Sequence, residues 1–164
     1  MLEQLFRFMA SAHRQPREQF VAEHPDCVFV VEPFARAAGG FATSAGAPSM
    51  GQETAVARIR KREGANAFGI MVTIGRARNN DVEINSPDVS KFHAYVMFGA
   101  APGEATLTDA GSTYGTFVGA RQLKAREDRV PLRPGDEVRV GSVRMTFHTP
   151  GSFYDFLKSP RALG

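Results

Sequence analysis

The sequence predicts an all-β fold with short helices at both ends. Its central part alternates short apolar stretches with turns rich in glycine, proline, asparagine and aspartate, which is typical of strands joined by loops. Helical periodicity appears only near the two ends of the chain, and the sequence contains neither an internal repeat nor a heptad array. The 164 residues are enough for one domain with extensions and a sizeable core.

Two short helices are predicted before the first strand. The first has an apolar stripe at the spacing i, i+3, i+4 and i+7, and Phe8 falls outside this stripe. The stripe consists of Leu2, Leu5, Phe6 and Met9. The second helix runs from about Pro16 to His24, with Phe20 and Val21 on its buried side. Such short helices are unstable alone in water, so they either pack on the domain or present apolar side chains to a partner, and we favour packing.

Three strands are predicted before the central motifs. Cys27–Val31 is a continuous apolar run, Thr54–Arg62 alternates apolar and cationic residues, and Phe68–Ile74 follows. Between the first two strands, Ala37–Gln52 is rich in glycine, alanine, serine and proline and is predicted to be a mobile loop.

The second of these strands has one apolar and one cationic face. Its cationic residues are Arg58, Arg60, Lys61 and Arg62. They either attract acidic partners or form a solvated face that discourages edge pairing, and the second interpretation is favoured.

The second half of the chain predicts further strands and a C-terminal helix. The strands are Ala94–Phe98, a run that ends at Asp109, Val138–Val140, and a last strand that contains Val143, Met145 and Phe147. The charged stretch 121–129 is predicted to be an exposed connection. Ser152 is predicted to cap the final helix, with Asp155 three residues on and Pro160 ending it. The apolar stripe of this helix is Phe153, Phe156 and Leu157.

Four cationic and hydroxyl side chains lie at strand ends or in loops of the central part: Arg76, Ser90, Lys91 and Thr113. Gly75 is predicted to turn the chain so that Arg76 leaves the sheet at its rim. A sandwich clusters its loops at two ends, so these groups can meet at one pole. A guanidinium, an ammonium and two hydroxyls without a carboxylate suit a phosphate group.

At these residues the chain resembles the forkhead-associated (FHA) family, whose members are phosphothreonine-peptide-binding β-sandwiches. The family pattern is Gly-Arg, Ser-x-x-His, Ser-x-x-Gly-Thr-x-Val and Gly-Asp, in this order. The matching segments are Gly75-Arg76, Ser90-Lys91-Phe92-His93, Ser112-Thr113-Tyr114-Gly115-Thr116-Phe117-Val118 and Gly135-Asp136.

The resemblance implies an FHA-type sandwich of two antiparallel sheets over residues 27–149, between a helical extension (1–26) and a short helix and tail (150–164). It further implies that the phosphate is bound by the four side chains named above, and that Gly75 and His93 brace the site. Tyr114, Gly115 and Arg78 would then contact the peptide. The implied partner is a phosphothreonine-containing protein or peptide, such as a Ser/Thr kinase or its substrate.

Two positions depart from the family pattern. The family usually has an asparagine before Gly-Thr, which holds the peptide backbone, and a second asparagine after Phe-Val, which braces the loop. Here these positions are Tyr114 and Gly119. The phosphate site is therefore predicted to be intact beside an altered backbone clamp. This leaves a structural or scaffolding module, which docks partners without phosphate, as the alternative.

Other functional classes find little support in the sequence. Ser90, His93 and Asp109 have the residue types of a hydrolase, but no Gly-x-Ser-x-Gly elbow surrounds Ser90, so no catalytic residue is predicted. His93 has no second ligand nearby, and neither a metal site nor a cofactor is predicted. The net charge of +3 is too small to indicate nucleic acid. No apolar run is long enough for a membrane span, and a cytoplasmic protein with a buried thiol at Cys27 is expected.

Overall fold

The computed structural model describes residues 1–37 and 53–163. In this part of the chain, twelve strands form two sheets, and helices lie at both ends of the sequence. The strands are β1 Leu2–Gln4, β2 Val28–Val31, β3 Ala55–Arg58, β4 Val72–Gly75, β5 Val82–Glu83, β6 Ala94–Phe98, β7 Ala105–Asp109, β8 Thr116–Val118, β9 Arg121–Gln122, β10 Val130–Leu132, β11 Glu137–Val140 and β12 Val143–His148. The α-helices are α1 Leu5–Arg14, α2 Arg17–Glu23 and α3 Pro150–Leu157, and a 3-10 turn follows at Pro160–Leu163.

The two sheets are mostly antiparallel. One has the order β1-β3-β2-β12-β11-β8-β9, and the other has the order β10-β7-β6-β4-β5. Every described pair is antiparallel except β4 with β5, where Ile74 lies opposite Val82 in parallel register. The predicted mostly-β fold of two sheets is therefore confirmed, with this one parallel pair as an exception.

The main core lies between the two sheets. Phe29 and Phe147 of the larger sheet and Ile74 and Leu107 of the smaller sheet are fully buried in it. Alternation along β12 explains this placement, because Val143, Met145 and Phe147 point inward on successive odd positions. Burial of these side chains is the main stabilising contribution to the sandwich.

A second apolar cluster lies on the outer face of the larger sheet, where the helices pack. Phe8 of α1, Phe20 of α2 and Phe153 of α3 meet the side chains of Val30 and Val56 there. Strand β2 is therefore buried on both faces, which explains why its sequence is continuously apolar.

The predicted phase of the first helix is wrong. Residues 2–4 form β1, which pairs with β3, so the helix begins only at Leu5. Counted from this start, Leu5, Phe8 and Ala12 are buried, whereas Phe6 is 60% exposed. The apolar stripe was misassigned because it was counted from Leu2, which belongs to strand β1 and not to the helix. The structure thus places a strand of the larger sheet before residue 27, and the domain boundary at that residue stays a prediction.

The strand predicted at Thr54–Arg62 is shorter, and its faces differ from the prediction. Strand β3 ends at Arg58, and Val56 on the face predicted to be cationic is completely buried beneath the helices. Arg60 and Arg62 lie beyond the strand. The loop predicted at Ala37–Gln52 lies, apart from its first residue, outside the described residues.

Two expectations for the later part of the chain also change. The cap of α3 is Thr149, whose hydroxyl accepts from the Ser152 N–H, so the helix begins earlier than predicted. Asp155 instead pairs with Arg17 of α2 at 3.2 Å. The segment 121–129 is not exposed throughout, because it begins with β9 and buries Leu123. None of the described helices has the length and apolarity needed to cross a bilayer.

Candidate functional site

The end of β4 is held against the segment that carries Ser90 and Lys91. The Arg76 N–H donates to the Ser90 carbonyl at 2.9 Å, and the Ala77 N–H donates to the Lys91 carbonyl at 3.3 Å. A Cβ on Gly75 would overlap the carbonyl oxygen of Lys91. Gly75 is therefore required for this close approach of two backbones, and not for the turn that the sequence suggested.

Asn80 supports the contact between the end of β4 and the Lys91 segment. Its side-chain amide donates to the Ala77 carbonyl at 2.8 Å and to the Lys91 carbonyl at 2.6 Å, and it is 4% exposed. From the sequence, Asn80 was expected only to be part of a turn. Because both donors of one amide are used, Asn80 ties the β4–β5 loop to the Lys91 segment.

His93 connects two loops through both of its ring nitrogens. Nδ1 accepts from the Ser90 N–H at 3.0 Å, and Nε2 lies 2.9 Å from the Gly115 carbonyl oxygen. These partners require a neutral ring that carries its proton on Nε2. Burial lowers the pKa of His93, against the opposing effect of the Gly115 carbonyl, and so favours the neutral form. This geometry is what the predicted role as a brace requires.

Ser90 is the junction of three segments. Its carbonyl accepts from Arg76, its N–H donates to His93, and its Oγ accepts from the Thr113 N–H at 3.1 Å. Since Oγ acts as an acceptor in this bond, its own proton stays available for a ligand. Thr113 thus contacts Ser90 through its backbone N–H. The sequence had indicated only a role for the Thr113 hydroxyl.

Asp109 organises the loop that carries Thr113. Its carboxylate accepts from the hydroxyls of Ser112 and Thr116 at 2.5 and 2.7 Å, and from the backbone N–H groups of Gly111 and Ser112. Burial alone would raise the pKa of Asp109, but these hydrogen bonds outweigh it and lower the pKa. Asp109 therefore stays charged and anchors the loop, a role that the sequence analysis did not assign to it.

The residue types of a hydrolase do not form a triad here. The Nε2 of His93 faces the Gly115 carbonyl, and Nδ1 accepts a backbone N–H, so neither nitrogen is free to take a proton from Ser90. Over the described ranges, no group of three or more histidine, cysteine or acidic residues could hold a metal ion. Ser90, His93 and Asp109 therefore do not form a catalytic triad.

The remaining predicted site residues surround this junction and face solvent. Lys91, Thr113, Arg78 and Tyr114 are exposed, Tyr114 to 62%, and Arg76 is half-buried. Within the described part of the chain, neither Arg76 nor Lys91 forms an ion pair. The junction therefore presents positive charge that no described carboxylate neutralises.

A cleft of about 390 Å³ opens beside the Thr113 loop. Thr113, Gly115, Gln122 and Lys124 are among the residues that line it. Gly115 has φ +89°, and a Cβ there would lie 2.8 Å from Gln122 Nε2, so a side chain at this position would displace Gln122.

Comparisons with known proteins agree on one family. The model of the family described as "FHA domain" matches residues 72–141. Angiogenic factor with G patch and FHA domains 1 from Mus musculus is 40% identical over 86 residues, which are 49% of this chain and 12% of that protein. Oxoglutarate dehydrogenase inhibitor from Corynebacterium efficiens is 29% identical over 114 residues, 67% of this chain and 76% of that protein. The chain thus spans only a small part of the length of the mouse relative.

Solved structures show the same fold. An FHA domain from a structural and functional analysis of phosphothreonine-dependent FHA domain interactions matches 76% of this chain and 96% of its own, with a TM-score of 0.51 and 17% identity. The FHA domain of a hypothetical protein from Arabidopsis thaliana matches 76% of this chain and 85% of its own, with a TM-score of 0.51 and 19% identity. The family match covers all the segments that form the Ser90 junction, so residues 72–141 of this chain match the FHA domain in sequence, in agreement with the fold of the solved structures.

Proposed function

We propose that the chain is a non-catalytic module that binds phosphothreonine peptides, with the phosphate held by Arg76, Ser90, Lys91 and Thr113. The observation that carries the proposal is the Ser90 junction. Ser90 accepts hydrogen bonds from the Arg76 N–H at the end of β4 and from the Thr113 N–H of the next loop. All four side chains therefore belong to segments that are connected at one end of the sandwich.

The chemistry of this junction matches a phosphate ester. A phosphothreonine carries a charge of about −1.5 to −2 near pH 7 and three strong acceptor oxygens. Arg76 supplies a planar fork, Lys91 a point charge, and Ser90 and Thr113 short hydroxyl donors. The positive charge is not neutralised by a described carboxylate, so a dianion gains Coulomb energy without displacing an existing partner.

The match of residues 72–141 to the FHA domain supports the choice of phosphothreonine over other phosphates. The partner would then be a protein phosphorylated on threonine, such as a Ser/Thr kinase or its substrate, and the chain would act in kinase signalling. Selection of threonine over serine, through a slot for the extra methyl group, is part of the same family expectation. A cytoplasmic location fits this role and also stays a prediction.

We place the rest of the peptide over Tyr114, Gly115 and Arg78. The cleft beside Thr113 is large enough for one peptide side chain next to the phosphothreonine. Tyr114 replaces the amide that usually clamps the peptide backbone, and its exposed ring offers an apolar wall instead. This substitution also supports the alternative, a scaffold that docks partners through Tyr114 without phosphate.

Titration of one threonine peptide in its phosphorylated and plain forms separates the two functions. The expected result is binding of the phosphorylated form only, lost in Arg76→Ala and retained in the control Arg129→Ala, which removes an exposed arginine that is not part of the proposed site. Two charge-assisted hydrogen bonds at about 1.5–3 kcal/mol each predict a loss of at least 100-fold. Equal binding of both forms would favour the scaffold.

A further inference from the structure

A second cleft lies next to the proposed phosphate site, and unlike the first it is rich in arginine. It encloses about 490 Å³ and is lined by Met1, Glu3, Arg7, Arg58, Arg60, Arg62 and Asp81. Four arginines face two carboxylates there, so the lining has two positive charges in excess. The sequence favoured a solvated face for the cationic residues from Arg58 to Arg62, whereas the fold brings Arg58, Arg60 and Arg62 together with Arg7 of α1.

Both carboxylates of this cleft are already used. Glu3 accepts from Arg58 at 2.6 Å. The Asp81 side chain is completely buried and accepts from Lys61 at 2.8 Å and from the N–H groups of Arg62 and Thr73. Neither acid is therefore free to neutralise the remaining arginines.

The remaining arginines have donors to spare. Among the described residues, Arg7 forms no ion pair. Arg60, which is 60% exposed, donates one long hydrogen bond to Asp26 at 3.4 Å. A guanidinium carries five N–H donors, so both arginines keep donors for an anionic ligand.

The cleft is joined to the proposed phosphate site. The guanidinium of Arg62 donates to the Arg78 carbonyl, and Arg78 follows Arg76 by two residues in the same loop. An extended peptide advances about 3.3–3.6 Å per residue. A residue three or four positions from the phosphothreonine would therefore lie up to about 10–14 Å from it, on the side of the site where Arg78 contacts Arg62 of the cleft.

We propose that this cleft binds a second anionic group, an acidic side chain or a second phosphate, on the same peptide that carries the phosphothreonine. The proposal rests on the proposed function and names the class of peptide that the chain selects. A carboxylate or phosphate accepts bidentate hydrogen bonds from arginine, which accounts for the choice of arginine over lysine at these positions.

The test uses four peptides that share one core. One has neutral flanks around the phosphothreonine, two have three glutamates starting three residues before or after it, and the fourth has the better-binding acidic flank with a plain threonine. The cleft variant is Arg7→Gln with Arg60→Gln, which leaves the Arg62–Arg78 contact in place. The matched control is Arg129→Gln with Arg144→Gln, which removes the same charge from exposed positions elsewhere.

We expect one acidic flank to tighten phosphopeptide binding by about tenfold, since exposed or partly exposed ion pairs contribute about 0.2–1 kcal/mol each. The cleft variant should lose this advantage and the control should keep it. No advantage for either acidic flank, or the same loss in both variants, would overturn the proposal. So would equally effective competition by a short oligonucleotide of the same charge, which would indicate a general polyanion site.

Failure of the proposed function gives a different result. If acidic peptides with phosphothreonine and plain threonine bind alike, the phosphate site is wrong, and the cleft variant still reports whether the acidic flank binds in the cleft. If no peptide binds to the wild-type chain at millimolar concentration, both proposals are wrong.

Discussion

Replacement of His93 by alanine tests whether the site depends on the imidazole as a brace. The substitution leaves the partly buried Ser90 N–H and the buried Gly115 carbonyl without their partner. An unsatisfied buried group costs about 1–3 kcal/mol, so two predict a loss of about 3 kcal/mol in the free energy of unfolding. For a chain of this size, this corresponds to a decrease of about 6–12 °C in Tm.

Urea denaturation measures the stability of this variant, and titration with a phosphothreonine peptide measures its binding. The control is His13→Ala, which removes an exposed imidazole from α1 and should change the stability little. Binding should weaken together with stability, because Ser90 loses the contact that orients its backbone. A His93→Ala protein that is as stable as the wild type but does not bind would refute the brace and would make His93 a direct ligand of the peptide.

Three further predictions concern pH, peptide affinity and the N-terminal helices. Burial lowers the pKa of His148 to about 4, while the unfolded value is about 6.5, so its contribution to stability is present above about pH 6.5 and decreases as the pH falls. This predicts a loss of about 2 kcal/mol at pH 5 in urea denaturation, and equal stability at pH 7.5 and 5 would contradict it. Tyr114→Asn should increase the affinity for phosphothreonine peptides several-fold in titrations, because it restores one or two hydrogen bonds to the peptide backbone of about 1 kcal/mol each. Weaker binding of every peptide would show that Tyr114 is itself a specific contact. Deletion of residues 1–24 should lower the Tm and expose Val30 and Val56 to a hydrophobic dye, whereas an equally stable truncated chain would favour a partner-docking role for the helices.

The sequence predicted those parts of the site that depend on local spacing. Strand β6 has the predicted bounds. The resemblance to the FHA family implied that His93 braces the site, and the hydrogen bond from the Ser90 N–H to His93 Nδ1 is compatible with this role, which stays a prediction. Such features are readable because both partners lie within a few residues, where turn and strand geometry restrict what can meet.

Other parts of the site could not be predicted because they depend on which groups the folded loops bring together. Asn80 donates to the Lys91 carbonyl of another loop, and Asp109 accepts from the Ser112 and Thr116 hydroxyls, which are close in sequence but were not recognised as its partners. The phase of α1 was wrong for a related reason. Only pairing with β3 shows that residues 2–4 form a strand, and this pairing shifts the buried position from Phe6 to Phe8.

Amide NMR shows directly whether phosphate binds at the Ser90 junction. In a titration with matched phosphorylated and plain threonine peptides, we expect the backbone N–H resonances of Arg76, Lys91 and Thr113 to shift with the phosphorylated peptide only. The His93→Ala variant should show smaller shifts at the same residues. Equal shifts with both peptides, or phosphate-dependent shifts confined to residues away from this junction, would show that the phosphate does not bind there.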